Sequence, residues 1–284
     1  MANTKISQLA AGAPAQATDI IPVDRGGTNV SLQVSDIENF IAATPSFSGG
    51  VVSFVDDFLG AAKNVANISA SGTVYTSNGT WLLGPLTGGT TGAIQQVAAL
   101  FTNPGNIKLI TPATTNDGLW MILGGSEFSI LGSLNSFSPW TMDYWFQTPA
   151  SLANICFRFG FSDGSSFTVD GPTNGVWLEF DTANANSNTN FELVNSNGGT
   201  KTYTSSGIAP VASTWYHVRL SSTVAGTMSA QMSVANAGLG AAFSSAVNVP
   251  NSNFLPTLQI VARANAAVNV VVDCFAYNAV LGRN

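Results

Sequence analysis

Charge is what this 284-residue chain has least of: Asp, Glu, Lys and Arg together make up 8% of it, against about a quarter in an ordinary soluble protein. The nine Lys and Arg are scattered without forming a basic run, and the formal net charge is −6. Proteins that neutralise phosphates need a basic footprint. Nucleic-acid binding is therefore excluded, and adhesion to an anionic membrane is disfavoured on the same ground. There is one histidine, His217, and there are two cysteines, Cys156 and Cys274. Without carboxylates these cannot make a standard zinc site. Both cysteines sit in strand-like runs and read as small packed residues, reduced in a cytosol. No continuous apolar run reaches the roughly 18 residues of a membrane span, so membrane insertion is not expected. Lys5 is followed by no signal-peptide apolar core, which makes cytosolic synthesis the expectation. Helical periodicity is almost absent, with Asp36–Ala42 and a turn around Phe58–Lys63 as the candidates. No repeat of about 20–50 residues is seen, which argues against a β-helix, propeller or solenoid.

What the chain does have is apolar residues at 45%, together with 28 Gly and 12 Pro. Its polarity comes from Ser, Thr and Asn. That composition can fill a core, unlike the charged, weakly hydrophobic composition of a disordered chain. From Val51 onward, short alternating runs are separated by Gly, Asn, Ser and Pro. Strands are predicted at Thr73–Thr76, Trp81–Leu83, Ala93–Phe101, Lys108–Thr111, Leu119–Leu123, Phe128–Leu134, Trp140–Gln147 and Asn154–Phe161. They continue at Val176–Asp181, Phe191–Asn195, Thr200–Thr204, Trp215–Ser221, Met228–Val234, Leu258–Ala264 and Val268–Ala276. Such spacing predicts an all-β sandwich or barrel. Asn78-Gly79, Asp163-Gly164, Asn174-Gly175 and Asn197-Gly198 are candidate hairpin turns.

Alternation assigns the two faces of each strand. Trp140, Met142, Tyr144 and Phe146 share one face, opposite Thr141, Asp143, Trp145 and Gln147. Ile155, Phe157, Phe159 and Phe161 lie opposite Cys156 and Arg158. Val176, Leu178 and Phe180 oppose Trp177, Glu179 and Asp181, and Tyr216, Val218 and Leu220 oppose Trp215, His217 and Arg219. The outward faces thus interleave aromatics with isolated charges. Asp143, Trp145, Arg158, Trp177, Glu179 and Trp215 are the candidate glycan-binding or subunit-interface residues.

The first 45 residues differ in texture. They are too few to bury a core alone and read as a segment that needs a host surface, followed by a linker at 46–53 and a main domain at 54–284. The pieces Lys5-Ile6-Ser7-Gln8-Leu9, Thr18-Asp19-Ile20-Ile21-Pro22-Val23, Gly26-Gly27 and Val34-Ser35-Asp36-Ile37 resemble, in that order, the N-terminal docking segment of bacteriophage tail, fibre and head-decoration proteins. The resemblance implies that Ile6, Leu9, Ile20, Ile21, Val23, Leu32, Val34 and Ile37 fasten the chain to other virion proteins. The main domain resembles the concanavalin A/laminin-G-like jelly rolls of phage structural proteins. The matching pieces are Phe54–Phe58, Trp140–Phe146, Phe159–Asp163, Gly175–Asp181, Ser213–Val218 and Val270–Asp273. It implies a jelly-roll β-sandwich knob on a virion surface, in trimers of a kind common for phage projections; host surface polysaccharide is a further candidate partner, read from the aromatics and charges of the outward faces. With neither a coiled-coil nor a β-helical shaft, a squat capsid-surface knob is expected over a distal fibre tip.

Catalytic constellations are sparse. Some jelly-roll glycosidases carry Glu-x-Asp-x-x-Glu on a strand, and Glu179-Phe180-Asp181 supplies the first two positions, but Asn184 stands at the third. Carboxylates two apart on a strand lie about 6.5 Å apart, within the roughly 5–9 Å that glycoside hydrolysis uses, so the missing third carboxylate is what breaks the pattern. A Ser-His-Asp triad would depend on the single His217, and no Gly-x-Ser-x-Gly elbow precedes a helix. Gly88-Gly89-Thr90-Thr91-Gly92 lacks the lysine of a phosphate loop. Asp56-Asp57 and Asp163-Gly164 offer oxygens to Ca²⁺ without an EF-hand spacing, and Asp56-Asp57 reads instead as closing the mouth of the sandwich by hydrogen bonds. The expectation is a structural, non-enzymatic protein without cofactor or metal. A glycan-cleaving or receptor-binding tail spike is the alternative.

Overall fold

The computed structural model describes residues 20–25, 28–33, 51–56, 58, 65–68, 73–76, 80–86, 92–96, 105–123, 130–133, 139–163, 167–183, 188–222, 226–234, 237–250 and 253–280. The chain divides into two units, Met1–Gly50 with Arg283–Asn284, and Val51–Gly282. In the first, β1 (Ile20–Arg25) and β2 (Thr28–Gln33) form an antiparallel hairpin whose register sets Ile21 opposite Leu32 and Val23 opposite Val30. Ile6, Leu9, Val34 and Ile37, and the helix expected at Asp36–Ala42, lie outside the described residues.

Strand is the regular secondary structure of the second unit among its described residues. It runs β3 (Val51–Asp56), β4 (Val65–Ile68), β5 (Thr73–Thr76), β6 (Thr80–Pro85), β7 (Gly92–Gln96), β8 (Ile107–Ile110), β9 (Asp117–Leu123), β10 (Ile130–Ser133) and β11 (Trp140–Gln147). It continues β12 (Ile155–Ser162), β13 (Gly175–Asp181), β14 (Glu192–Asn197), β15 (Thr200–Ser205), β16 (Trp215–Ser222), β17 (Met228–Val234), β18 (Phe243–Ser245), β19 (Asn253–Ala262) and β20 (Asn269–Val280). Two nine-stranded antiparallel sheets result. The first is ordered β15-β14-β13-β12-β19-β9-β6-β5, with β10 also pairing β19. The second is ordered β18-β17-β16-β11-β20-β8-β7-β4, with β3 also pairing β20. This is the expected jelly-roll sandwich. Strands β3, β4 and β18, unpredicted from alternation, are short or sit beside stronger neighbours that supply their pairing.

The inward faces interdigitate as the alternation requires. Trp140 meets Phe161 edge-on at 5.0 Å, and Phe146 meets Phe159 at 4.7 Å. Tyr144 buries its ring and sends its hydroxyl across the sandwich to donate to the Gly160 carbonyl at 3.0 Å. That bond satisfies the one polar atom the ring brings into the core. Asp56 is buried and accepts from the Phe58 amide at 2.9 Å and the Trp81 indole at 2.7 Å. It thereby fixes the first strand of the domain to the Phe58–Trp81–Phe275 aromatic group.

Two turns set local geometry. Asn197 pairs with Thr200, so the hairpin between β14 and β15 turns on Gly198 and Gly199, both at positive φ (59° and 82°). The sequence placed this turn one residue early, on Asn197-Gly198. Asn174-Gly175 is not a positive-φ turn, because Gly175 already belongs to β13. Between β11 and β20 the register steps from Trp145 opposite Cys274 to Phe146 opposite Val272, a bulge at Asp273. Bulges re-aim side chains next to functional surfaces.

Gly160 is a tight approach between two strands of the first sheet, β12 and β13. A Cβ there would lie 2.1 Å from the Val176 carbonyl oxygen and 2.4 Å from the Trp177 Cα. Gly160→Ala is expected to lower stability by about 1–3 kcal/mol or more through forced strand separation, read from the urea midpoint. An unchanged midpoint would show that β12 and β13 are not held this closely.

Candidate functional site

The outward faces of the two sheets have different fates. On the first sheet, alternation places Arg158 of β12, Trp177, Glu179 and Asp181 of β13 and Gln259 of β19 on one side, and the register sets Arg158 between Glu179 and Gln259. The sequence reading left this side open to a ligand. Instead Arg158, Trp177, Glu179 and Asp181 are buried at 1–3% exposure. They lie beneath the segment 167–172. Its carbonyls accept from the sheet: Val169 from Arg158 Nη1 (3.1 Å) and Arg263 Nη2 (3.0 Å), Thr168 from Gln259 (2.8 Å), and Asp170 from Lys201. Phe167 stacks on Trp120 at 4.7 Å. Main-chain carbonyls matched to cationic side chains make a cover that alternation along the strands cannot reveal.

Under this cover the charges are paired. Arg158 Nε bonds Glu179 Oε2 at 2.5 Å, its Nη2 bonds Asp181 Oδ2 at 3.1 Å, and its Nη1 bonds Gln259 Oε1 at 2.9 Å. Arg263 grips Asp181 with Nε (2.9 Å) and Nη2. The Trp177 indole donates to Glu179 at 3.1 Å. Burial by itself would raise the Asp181 carboxyl, but the Arg263 hydrogen bonds and the Arg158 charge outweigh it and hold the group below its ordinary 3.8. Burial pushes the Cys156 thiol well above its usual range, against the pull of Arg158. Cys156, Glu179 and Asp181 bring ligand-type atoms within 4.8 Å of one another, yet two guanidinium groups already occupy the carboxylates, so the cluster is an ion-pair network. The adjoining pocket between Arg158, Trp177, Pro172 and Gln259 has an empty volume of about 180 Å³, below the roughly 300 Å³ at which ligand pockets begin.

On the second sheet the outer side is only partly buried among the described residues. Asp143 and Trp145 of β11 stand in register with Arg219 and His217 of β16. The His217 ring lies flat on the Trp145 indole, 4.0 Å between centroids and 7° between planes. Its Nε2 meets Asp143 Oδ1 at 2.7 Å. Arg219 Nε donates to the same oxygen at 2.9 Å and Nη2 donates to Oδ2 at 3.3 Å. Asp143 is nearly buried while the Arg219 side chain is 40% exposed. Trp215 is half-buried at the start of β16, opposite Gln147, and Val55 of β3 is exposed beyond Ala276. Of the six candidate face residues, the structure therefore groups Asp143, Trp145 and Trp215 on the open side and places Arg158, Trp177 and Glu179 on the covered one. His217 and Arg219 join the open group. They were visible as alternation partners of Trp215, but only the strand pairing shows that they reach Trp145 and Asp143. The arrangement sets a partly exposed guanidinium, oriented by a carboxylate, beside a half-buried indole–imidazole stack, a donor suited to planar oxygen pairs.

A family model described as SO2946-like, C-terminal domain, matches residues 102–239. Among solved structures the chain is similar to a protein of unknown function, SO2946, from Shewanella oneidensis MR-1, with a TM-score of 0.57 and 13% identity over 87% of this chain and 95% of that one. It is also similar to peanut lectin in complex with a nine-residue peptide, with a TM-score of 0.51 and 10% identity over 81% of this chain and 97% of the lectin. No curated protein matches its sequence. At such identities the likeness is one of fold: the main domain is a lectin-like, concanavalin A-type jelly roll.

Three outcomes follow from the covered network. Arg158→Met leaves two buried carboxylates short of a partner and is expected to cost about 3–5 kcal/mol in urea unfolding; a loss under about 1 kcal/mol would mean the network is solvated. Asp181 titrates lower folded than unfolded, so its contribution is complete above the unfolded value of about 3.9 and is lost as pH falls through the folded value. The unfolding free energy should drop with acid below about pH 4, and the slope should shrink in Asp181→Asn. In the native protein Cys156 should resist a thiol reagent that labels half-buried Cys274 first, with Cys156 reacting only on unfolding. Equal native labelling of both would contradict its burial.

Proposed function

We propose that this protein is a non-catalytic glycan-recognising structural component of a phage particle, fastened by its N-terminal segment and presenting the jelly roll as a knob. The observation that carries the recognition half is the open cluster of Trp145, His217, Asp143 and Arg219, where an aromatic stack and an oriented guanidinium stand together on an outer sheet face. The lectin-like fold is compatible with that use and does not by itself assign it.

The docking half is supported by the ordered series of N-terminal motifs, by the hairpin β1–β2 within it, and by its division from the jelly roll as a separate unit. Cleavage is the weaker reading. A glycosidase needs one carboxyl kept protonated beside the scissile bond, whereas Glu179 and Asp181 are buried beneath a covering segment and bonded to arginines, with Asp181 held low rather than high.

The full chain should bind host surface polysaccharide in a pull-down or surface-plasmon measurement without releasing reducing ends. Trp145→Ala should weaken that binding by about tenfold or more, the scale of a lost aromatic contact. Undiminished binding by the variant would remove this face as the site, and release of sugar would overturn the non-catalytic reading. Antibody against the jelly roll should decorate intact particles; particles without label would sink the docking half.

A further inference from the structure

We infer that the open face selects saccharides bearing a carboxylate, with Arg219 as the group that reads it; this rests on the glycan-binding reading above. The inference comes from how Arg219 is held. A guanidinium has two edges on which a planar pair of oxygens can sit. Asp143 takes the edge formed by Nε and Nη2, at 2.9 and 3.3 Å. The end-on edge, Nη1 with the remaining N–H of Nη2, is not used by Asp143, and the side chain is 40% exposed. Its donors are parallel and spaced for one more carboxylate, the geometry in which arginine outperforms a point charge.

The same contacts fix that edge in place. Asp143 is 5% exposed as a side chain and also bonds His217 at 2.7 Å, and His217 lies flat on Trp145. The guanidinium is therefore oriented before any ligand arrives, which lowers the ordering cost of binding. The Asp143 charge offsets the Arg219 charge, so the site is no general anion trap in a chain of net charge −6. What remains is directional: two donors in a plane, on the same outer face as the Trp145–His217 stack. A uronic or similar acid presents a planar carboxylate to such donors, and a neutral hexose does not.

The test uses the full chain and three polymers: polygalacturonate, the galactan made from it by carboxyl reduction, and dextran sulfate. By calorimetry or surface plasmon resonance at constant ionic strength, polygalacturonate should bind at least about tenfold tighter than the reduced galactan. Arg219→Gln should remove that difference. Arg219→Lys, which keeps the charge and loses the fork, should lose most of it. Both variants keep the Asp143–His217 contact, and an unchanged melting curve would establish that they fold. Equal binding of polygalacturonate and galactan overturns the carboxylate inference while leaving glycan recognition standing. Dextran sulfate bound as tightly as polygalacturonate, or full preference retained in Arg219→Lys, overturns it in favour of plain charge attraction. Binding of none of the three, nor of host polysaccharide, overturns both readings.

Discussion

The outer side of the first sheet is organised around the burial of Arg158. A guanidinium on a sheet's outer face would ordinarily extend into water. Here it is enclosed by Glu179, Asp181 and Gln259 from the flanking strands and capped by the Val169 carbonyl. Removing such charges from water costs several kcal/mol per ion, and only near-complete pairing offsets it. Arg263 completes the set, turning Asp181 into a bridge between two cations and adding a second donor to Val169. The covering segment is therefore tied down by charge-assisted bonds to its main chain rather than by apolar packing alone, and the outer side of β12 and β13 around Arg158 is buried.

That closure is why the proposed recognition is placed on the second sheet. The second sheet also carries an acid, an arginine and an aromatic on its outer side, and there the Arg219 side chain stays 40% exposed. Asp143 is shielded by His217 and Arg219 themselves, and Arg219 keeps much of its surface in water. The two faces use the same residue chemistry for opposite ends. In one the carboxylates saturate the arginines, and in the other a single carboxylate orients an arginine that retains an unused edge. The bulge at Asp273 beside Trp145 belongs to this second face.

The fold was legible because its core obeys period two almost without exception. Trp140–Gln147 and Met228–Val234 were placed to the residue, and the inward set Met142, Tyr144, Phe146, Phe157 and Phe159 is buried as alternation requires. The functional surface was only half legible. Alternation separates inner from outer but cannot say whether an outer face is covered, so Trp177 and Glu179 looked the same as Trp145 and Asp143. The segment that distinguishes them, Phe167–Pro172, has no periodicity and acts through its carbonyls, which every sequence possesses. Likewise His217 and Arg219 carry no motif; their meaning comes from register with a strand about seventy residues earlier. The hairpin of the N-terminal segment was visible as Ile20–Val23 and the alternating Val30 and Leu32.

The central claim is that ligand recognition belongs to the open face of β11 and β16 and not to the covered face of β12 and β13. Amide hydrogen exchange of the full chain with and without an acidic polysaccharide separates the two directly. Slowed exchange confined to β11, β16 and the neighbouring part of β20, with β12, β13 and residues 167–172 unchanged, is the expected result. Slowed exchange at β12, β13 or the covering segment, with β11 and β16 unaffected, would contradict it.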